Sequence, residues 1–135
     1  MADKREAHLA MIQGVINRLG QNSFLLKGWS VLLVSALLAV AASSSEDWIL
    51  PVAFLPALAF WGLDGYYLRQ ERLFRRLYDH ARQADDADVD YGMDTGLFQP
   101  AERWRSVVVS RTLSAFHGTL VAAVVIVTII AFTRG

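Results

Sequence analysis

The chain has 135 residues, enough for a single domain, and its 13 basic and 13 acidic side chains cancel. That balance excludes a strong overall attraction to nucleic acid, so no nucleic-acid partner is expected. The chain has no cysteine, which excludes disulfides, thiolate metal sites and cysteine nucleophiles. Hydrophobic residues make up 54% of the sequence. The charged residues are nearly absent from three long windows, so the positions of the hydrophobic residues along the chain are more informative than their overall percentage.

The first segment, residues 1–22, predicts an amphipathic helix. Its apolar residues recur at helical spacing, at Leu9, Ile12, Ile16 and Leu19. Gly20 is expected to end this helix, and Asn22 or Ser23 is expected to cap the next one. Two interpretations remain open, because the apolar face can pack on its own protein or lie in the membrane interface.

Three apolar windows, residues 24–43, 48–67 and 113–132, predict membrane spans. Each has about 20 residues, which at 1.5 Å per residue matches a hydrocarbon core of roughly 30 Å. The soluble alternative, a three-helix bundle, is disfavoured because so small a domain cannot surround three helices that are apolar on all sides. The first window could also be a cleaved signal peptide, but its charged, amphipathic lead-in is long for one. These spans predict an all-α membrane protein.

The second span is predicted to continue beyond the membrane as one helix to about residue 83. Apolar and aromatic side chains keep a three-to-four spacing from Leu63 to Ala81, and arginines occupy the other face. The extension would project roughly 20 Å, and its apolar stripe needs cover from the first helix or from a neighbouring subunit. Residues 84–106 are predicted to form an acidic loop. Its resemblance to a calcium-binding loop fails, because the glycine is one place late and Leu97 stands where an acid is required.

The lysines and arginines predict the topology. All 13 except Arg134 precede the first span, lie at its start, or lie between the second and third spans. The positive-inside rule places that side in the cytoplasm. We therefore expect a multi-pass inner-membrane protein with a cytoplasmic N-terminus and an external C-terminus.

A polar cluster is predicted at the cytoplasmic border of the membrane. Asp64 and His117 each lie about one turn inside a span, at similar depth, and Lys27 and Arg111 lie at the same border. Ionisable groups within a span are costly and usually face protein or water, so they are functional candidates. The alternative is a hydrogen bond that only fixes helix register, which is favoured because the cost falls near the interface.

Small residues on all three spans predict close helix contacts, since they let backbones approach each other in lipid. The predicted packing residues are Ser35, Ala39 and Ser43 in the first span, Ala53 and Ala57 in the second, and Ser110, Ser114, Gly118 and Ala122 at and within the third. Three spans alone leave much helix surface to cover, so a homo-oligomer is expected.

Three stretches of the chain resemble an uncharacterised group of short bacterial three-span inner-membrane proteins. They are "MIQGVINRLGQNSFLLKGWSVLLVSAL", "FWGLDGYYLRQERLFRRLYD" and "SRTLSAFHGTLV", which together reach all three apolar windows. The resemblance implies bacterial origin and the three-span layout, and it carries no activity. A looser similarity, in layout only, is to small multi-span proteins thought to form pores in bacterial defence systems.

The sequence contains no phosphate-binding glycine loop, metal-ligand spacing or nucleophile elbow, so no catalytic residue, metal or cofactor is predicted. The first hypothesis is a non-enzymatic homo-oligomer in the lipid bilayer that forms or gates a pore. The alternative is a membrane anchor or scaffold that binds a cytoplasmic protein through the extended helix and acidic loop. A membrane enzyme is a distant third.

Overall fold

The computed structural model describes residues 2–44, 46–85 and 90–134. Within these ranges the chain forms four α-helices and one short 3-10 helix: α1 (Ala2–Ser44), α2 (Ile49–Gln83), the 3-10 helix Gly96–Ala101, α3 (Trp104–Val108) and α4 (Arg111–Arg134). Three of the helices, α1, α2 and α4, are long and apolar enough to cross a membrane. The prediction of an all-α membrane protein with three spans is confirmed.

Helix α1 does not break where the sequence predicted an end. Gly20 lies inside a continuous helix of 43 residues, so the predicted amphipathic helix and the first span are one element. Ser23, the predicted cap residue, makes a different contact: its hydroxyl donates a hydrogen bond to the carboxylate of Asp64. A glycine inside a helix costs about 0.5–1 kcal/mol relative to alanine, a cost that packing against α2 can offset.

Helix α2 runs without interruption from the apolar span into the arginine-rich extension, as its spacing predicted. It passes through Pro56 and ends at Gln83, where the N–H of Ala84 donates to the carbonyl of His80. The continuity follows from its stripe of apolar side chains, which stays buried on both sides of the change in composition: Leu50, Ala53 and Ala57 in the first half, and Leu73, Leu77 and Ala81 in the second.

Helix α2 lies at the centre of the bundle, with α1 packed along its length and α4 packed along its first half. One apolar cluster joins Ala41 to Leu50, and a second joins Val34, Ala57 and Val124. A third cluster, beyond the apolar windows, joins Ile12, Ile16, Leu77 and Ala81. The N-terminal half of α1 therefore packs on its own chain and covers the extension of α2.

We call the end of the bundle at the third cluster the arginine-rich end, after Arg69, Arg72, Arg75 and Arg76 on the α2 extension. Helix α1 starts there, α2 returns to it, and α4 leaves from beside it, so α1 and α4 run parallel.

The connection between α2 and α4 folds onto the α1–α2 pair. The ring of His8 lies with Nε2 3.1 Å from the carbonyl oxygen of Gly92, and its face meets the edge of Tyr91. Residues 84–106 were predicted as a loop, but the 3-10 helix and the start of α3 lie within them. Residues 86–89 of that prediction lie outside the described part of the chain.

Glu102 attaches this connection to the arginine face of α2. Its carboxylate lies 3.0 Å from Nε of Arg76 and 3.9 Å from a guanidinium nitrogen of Arg72. Its carbonyl accepts a hydrogen bond of 2.7 Å from Nε of Arg69. Exposed ion pairs of this kind contribute little individually, so the added backbone bond matters most for holding the connection in place.

The outer surfaces of the spans are apolar. Phe24 on α1, Leu55 on α2 and Ile126 on α4 have exposed fractions of 76%, 72% and 56%. In water, exposed apolar surfaces on all three helices would promote aggregation, whereas lipid is a favourable solvent for them.

Candidate functional site: a buried polar cluster between three spans

Asp64 lies at the meeting point of α1, α2 and α4 and is fully buried. Its carboxylate oxygen Oδ2 lies 2.6 Å from Nζ of Lys27 on α1 and 2.8 Å from Nε2 of His117 on α4. The second oxygen, Oδ1, accepts a hydrogen bond from the hydroxyl of Ser23. We call Ser23, Lys27, Asp64 and His117 the border cluster, because it lies where the apolar part of α2 gives way to its arginines.

The position of each side chain on its helix face explains why the three helices bring these residues together. Ser23 and Lys27 are four residues apart on α1 and so lie on one helix face, where Nζ of Lys27 also donates to Oγ of Ser23 over 2.8 Å. Asp64 occupies the face of α2 that is buried along the whole helix. His117 lies on the buried face of α4 with Leu113, one turn away, and Val124, two turns away.

Two tryptophans hold the start of α4 beside Asp64. The indole N–H of Trp61 donates to the carbonyl of Val108 over 2.8 Å, and that of Trp104 donates to the carbonyl of Gly62 over 3.1 Å. Gly65 permits this approach, because a Cβ there would lie 3.0 Å from Cγ2 of Val108. The short helix α3 is thereby fixed against α2, and α4 starts at the depth that His117 requires.

The border cluster can balance its own charge. The ammonium of Lys27 opposes the carboxylate of Asp64, and His117 can donate from Nε2 as a neutral ring. A buried carboxylate with three donors satisfies the requirement that a buried charge be paired and hydrogen-bonded. The arrangement therefore ties three spans together at one depth.

The ring of His117 is enclosed by aromatic side chains. Trp61 stacks on it with 5.9 Å between ring centroids, and Phe116 meets it edge-on at 5.0 Å. Its second nitrogen, Nδ1, is buried without a hydrogen-bond partner in the described part of the chain, as is the hydroxyl of Ser30. The residue is fully buried, so its ring has no direct contact with the bulk solvent.

The structure brings together three of the four residues predicted for the membrane border. Asp64, Lys27 and His117 meet, whereas the side chain of Arg111 is exposed and outside the cluster. Arg111 is the first residue of α4 and lies on a different face from His117, so the prediction that it belongs to the cluster is wrong.

None of the predicted packing residues of α1 and α4 is fully buried within the chain. Ser35, Ala39, Ser43 and Ala122 are exposed, and Ser110, Ser114 and Gly118 are only partly buried. No heavy atom lies within 4 Å of a Cβ built on Gly118. The predicted packing residues of α2, Ala53 and Ala57, have no exposed surface.

Sequence reasoning missed two members of the site. Ser23 was interpreted as a helix cap, although its four-residue spacing from Lys27 was the available signal that both share a face. Trp61 was not predicted to be part of the site, and nothing in the sequence indicates that it stacks on His117.

No group of three or more metal-ligand side chains occurs among the described residues. Comparisons with models of protein families, with curated proteins and with solved structures give no match for this chain.

Proposed function

We propose that the chain is a non-enzymatic membrane protein that assembles into a homo-oligomer, with a pore formed or gated between its subunits. The observation that carries the proposal is that α1 and α4 each present small residues on a face that the chain itself leaves uncovered. Ser35 and Ala39 on α1 and Ala122 on α4 are exposed, and Gly118 has open space around it. In lipid, helices associate where small residues let backbones come close.

The two small-residue faces lie on opposite sides of the bundle. On α1, Ser35 follows the buried residue Val34 at a step of roughly 100°, and on α4, Gly118 follows the buried residue His117 by the same step. Helices α1 and α4 run parallel on either side of an open groove. Val31, which lines the groove, follows the buried Ser30 by the same step, whereas Phe116, on the groove wall of α4, precedes His117. Ser35 therefore faces the groove and Gly118 faces away from it.

Two different faces that pair between copies make a head-to-tail contact, and such contacts close into rings when the rotation allows. A ring of three-span subunits can enclose a pore. The border cluster is closed within each chain, so an aqueous path would lie between subunits and not through one.

The non-enzymatic part of the proposal rests on the border cluster. Its ionisable side chains are engaged with one another, at 2.6 and 2.8 Å, and those of Asp64 and His117 are enclosed by protein. A group used as an acid, base or nucleophile has to reach a substrate, whereas these groups reach each other.

The orientation we propose has the arginine-rich end in the cytoplasm and the C-terminus outside the inner membrane. The support is the asymmetry of Lys and Arg along the sequence, with Arg134 alone at the opposite end.

A membrane scaffold that binds a cytoplasmic protein is the second candidate, and one observation favours it. Leu97, in the folded connection between α2 and α4, has an exposed fraction of 85% although it lies outside the spans. The α2 extension offers less support, because Ile12 and Ile16 of the same chain already cover its apolar stripe.

Cysteine cross-linking tests the oligomer, since the chain has no cysteine of its own. Chains carrying Ser35→Cys and chains carrying Ala122→Cys, with different tags, are mixed in liposomes and oxidised. We expect disulfide-linked pairs that carry both tags, and Gly118→Leu in the second chain should lower their yield because it separates the helices.

The matched control is Leu55→Cys, on the exposed face of α2 between Ala53 and Ala57, which pack level with Val34. If Leu55→Cys cross-links to Ala122→Cys as well as Ser35→Cys does, the proposed contact is wrong. Conductance of the purified protein in liposomes separates pore from scaffold. Conductance that Asp64→Asn alters while the cross-links persist would assign the border cluster to gating.

A further inference from the structure

A groove separates α1 from α4 on the surface of the bundle, and both helices contribute side chains to its walls. Its main cavity has a volume of about 520 Å³ and is lined by Val31, Thr112, Ala115, Phe116, Thr119 and Leu120. A smaller recess of about 220 Å³, lined by Phe24, Lys27, Gly28, Val31 and Phe116, continues it toward α1. The two share Val31 and Phe116 and form one surface, within the size range of small-molecule sites.

The walls of the groove offer little to a polar ligand. The hydroxyl of Thr119 is already used, because it donates to the carbonyl of Ala115 over 2.5 Å. The remaining side chains are apolar apart from Thr112 and Lys27, which lie toward the arginine-rich end. A hydrocarbon chain lying along the helices fits such a surface, because it covers apolar walls and needs no hydrogen bond.

The end of the groove at Thr112 is positively charged. Arg111 precedes Thr112, is exposed, and forms no ion pair or hydrogen bond among the described residues. Lys27 lies with Nζ 5.9 Å from the ring centroid of Phe116, but its charge is balanced by Asp64. Arg111 therefore places an unpaired positive charge at this end, at the start of a 24-residue helix whose dipole is positive there.

The charged end of the groove lies at the depth of lipid headgroups. Trp104, with 45% of its surface exposed, hydrogen-bonds to Gly62 beside the start of α4. Exposed tryptophans that donate a hydrogen bond are typical of the membrane interface. An apolar groove thus ends in an unpaired cation where a phosphate would be found.

We propose that this groove binds an anionic phospholipid, with an acyl chain along Phe116 and Leu120 and the phosphate at Arg111. The site lies in the half of the membrane near the arginine-rich end. Ser35 and Ala39 lie beyond Val31 toward the other end, so the lipid and a neighbouring subunit can be accommodated together. The proposal does not depend on the number of subunits.

Native mass spectrometry of the full chain in detergent tests this site. The protein is depleted of lipid and titrated with phosphatidylglycerol or phosphatidylcholine that have identical acyl chains. We expect phosphatidylglycerol to bind on the order of tenfold more tightly, since a charge-assisted contact to phosphate distinguishes the two. Arg111→Gln should abolish the difference, and Arg134→Gln, at the opposite end of α4, should preserve it.

A second pair of variants tests the acyl chain. Ala115→Trp places an indole in the groove and should remove bound lipid of both kinds, whereas Leu55→Trp adds an exposed indole on α2 and should not. If Ala115→Trp fails to fold, Thr119→Phe provides the same obstruction.

Three outcomes would overturn the proposal. These are equal affinity for the two lipids in the unaltered chain, equal effects of Arg111→Gln and Arg134→Gln, and unchanged lipid binding in the groove-filling variant. A groove-filling variant that changes the number of chains per particle but not of lipids would mean that another copy occupies the groove. Each mass gives chains and lipids separately, so failure of the oligomer proposal is distinguishable from failure of this one.

Discussion

At the scale of single residues, Asp64 shows how a costly group is accommodated between spans. An ionised carboxylate at the centre of a bilayer costs on the order of 2.5–3.5 kcal/mol, and less near the border. Here the carboxylate contacts donors from two other helices, Lys27 and Ser23 on α1 and His117 on α4. The contacts turn an unfavourable side chain into the point where three helices are held at one depth.

Removing the charge of Asp64 should destabilise the protein more than the lost hydrogen bond suggests. In Asp64→Asn the ammonium of Lys27 loses its counter-charge. The side chain of Lys27 is 20% exposed and can therefore be partly solvated. We expect the free energy of unfolding to fall by about 3 kcal/mol, near the lower end of the range for buried ion pairs that lose one partner. Unfolding in detergent without added lipid measures it.

Lys27→Met in the same background should recover part of that loss, because no buried charge is then left unpaired. Arg111→Gln is the control, since it removes a cation at the same border that lies outside the cluster. Stability of Asp64→Asn equal to that of the unaltered chain would show that the ion pair contributes nothing.

At the scale of elements, the contact of α3 with α2 depends on one glycine. A Cβ at Gly65 would lie 3.0 and 3.1 Å from two carbons of Val108 and 3.2 Å from Nε1 of Trp104. At Gly62, one turn earlier, the nearest atom to a Cβ is a ring carbon of Trp104 at 3.6 Å, which is an ordinary contact. Both glycines face Trp104, but only Gly65 also lies against Val108, and its clearance is smaller.

Gly65→Ala should therefore destabilise the protein by about 1–3 kcal/mol through overpacking. Gly62→Ala should be neutral or stabilising by up to about 1 kcal/mol, because alanine is the better helix former. Thermal unfolding of both variants in one detergent makes the comparison. Equal melting temperatures for the two would contradict the close approach of α3.

What the sequence could and could not predict differs between helices for physical reasons. The continuity of α2 was predictable because its apolar spacing persists from Leu63 to Ala81 through the change of solvent. The continuity of α1 was not, because Gly20 and Ser23 form a standard end-and-cap pattern, and only a tertiary partner, Asp64, shows that Ser23 is engaged elsewhere.

The packing faces of the spans were predictable only in part. In water an apolar face marks the interior, but in lipid every face of a span is apolar, so composition does not distinguish buried from exposed. Ala53 and Ala57 are buried while Ser35 and Ala39 are exposed, although all four are small. The meeting of Asp64 with His117 and Lys27 was open to prediction because polar groups are rare in spans and were expected at one depth.

At the scale of the whole molecule, charge asymmetry along the chain predicts its orientation in the membrane. Every lysine and arginine but Arg134 lies before or at the start of the first span, or between the second and third spans. A reporter active only in the cytoplasm should therefore be inactive when fused to the C-terminus and active when fused to the N-terminus. Activity at the C-terminus would mean that the number of spans is even or that the orientation is reversed.

The unbroken course of α1 has a mechanical consequence. The border cluster attaches this helix to its neighbours near Lys27, and no hinge interrupts it on either side. About 35 Å of helix precedes that attachment and about 25 Å follows it, at 1.5 Å per residue. Helix α1 also packs on α2 on both sides of this attachment, so the two helices form one rigid pair that crosses the membrane border. A force that tilts this pair outside the bilayer is therefore transmitted to its part inside the bilayer, where Ser35 and Ala39 are exposed.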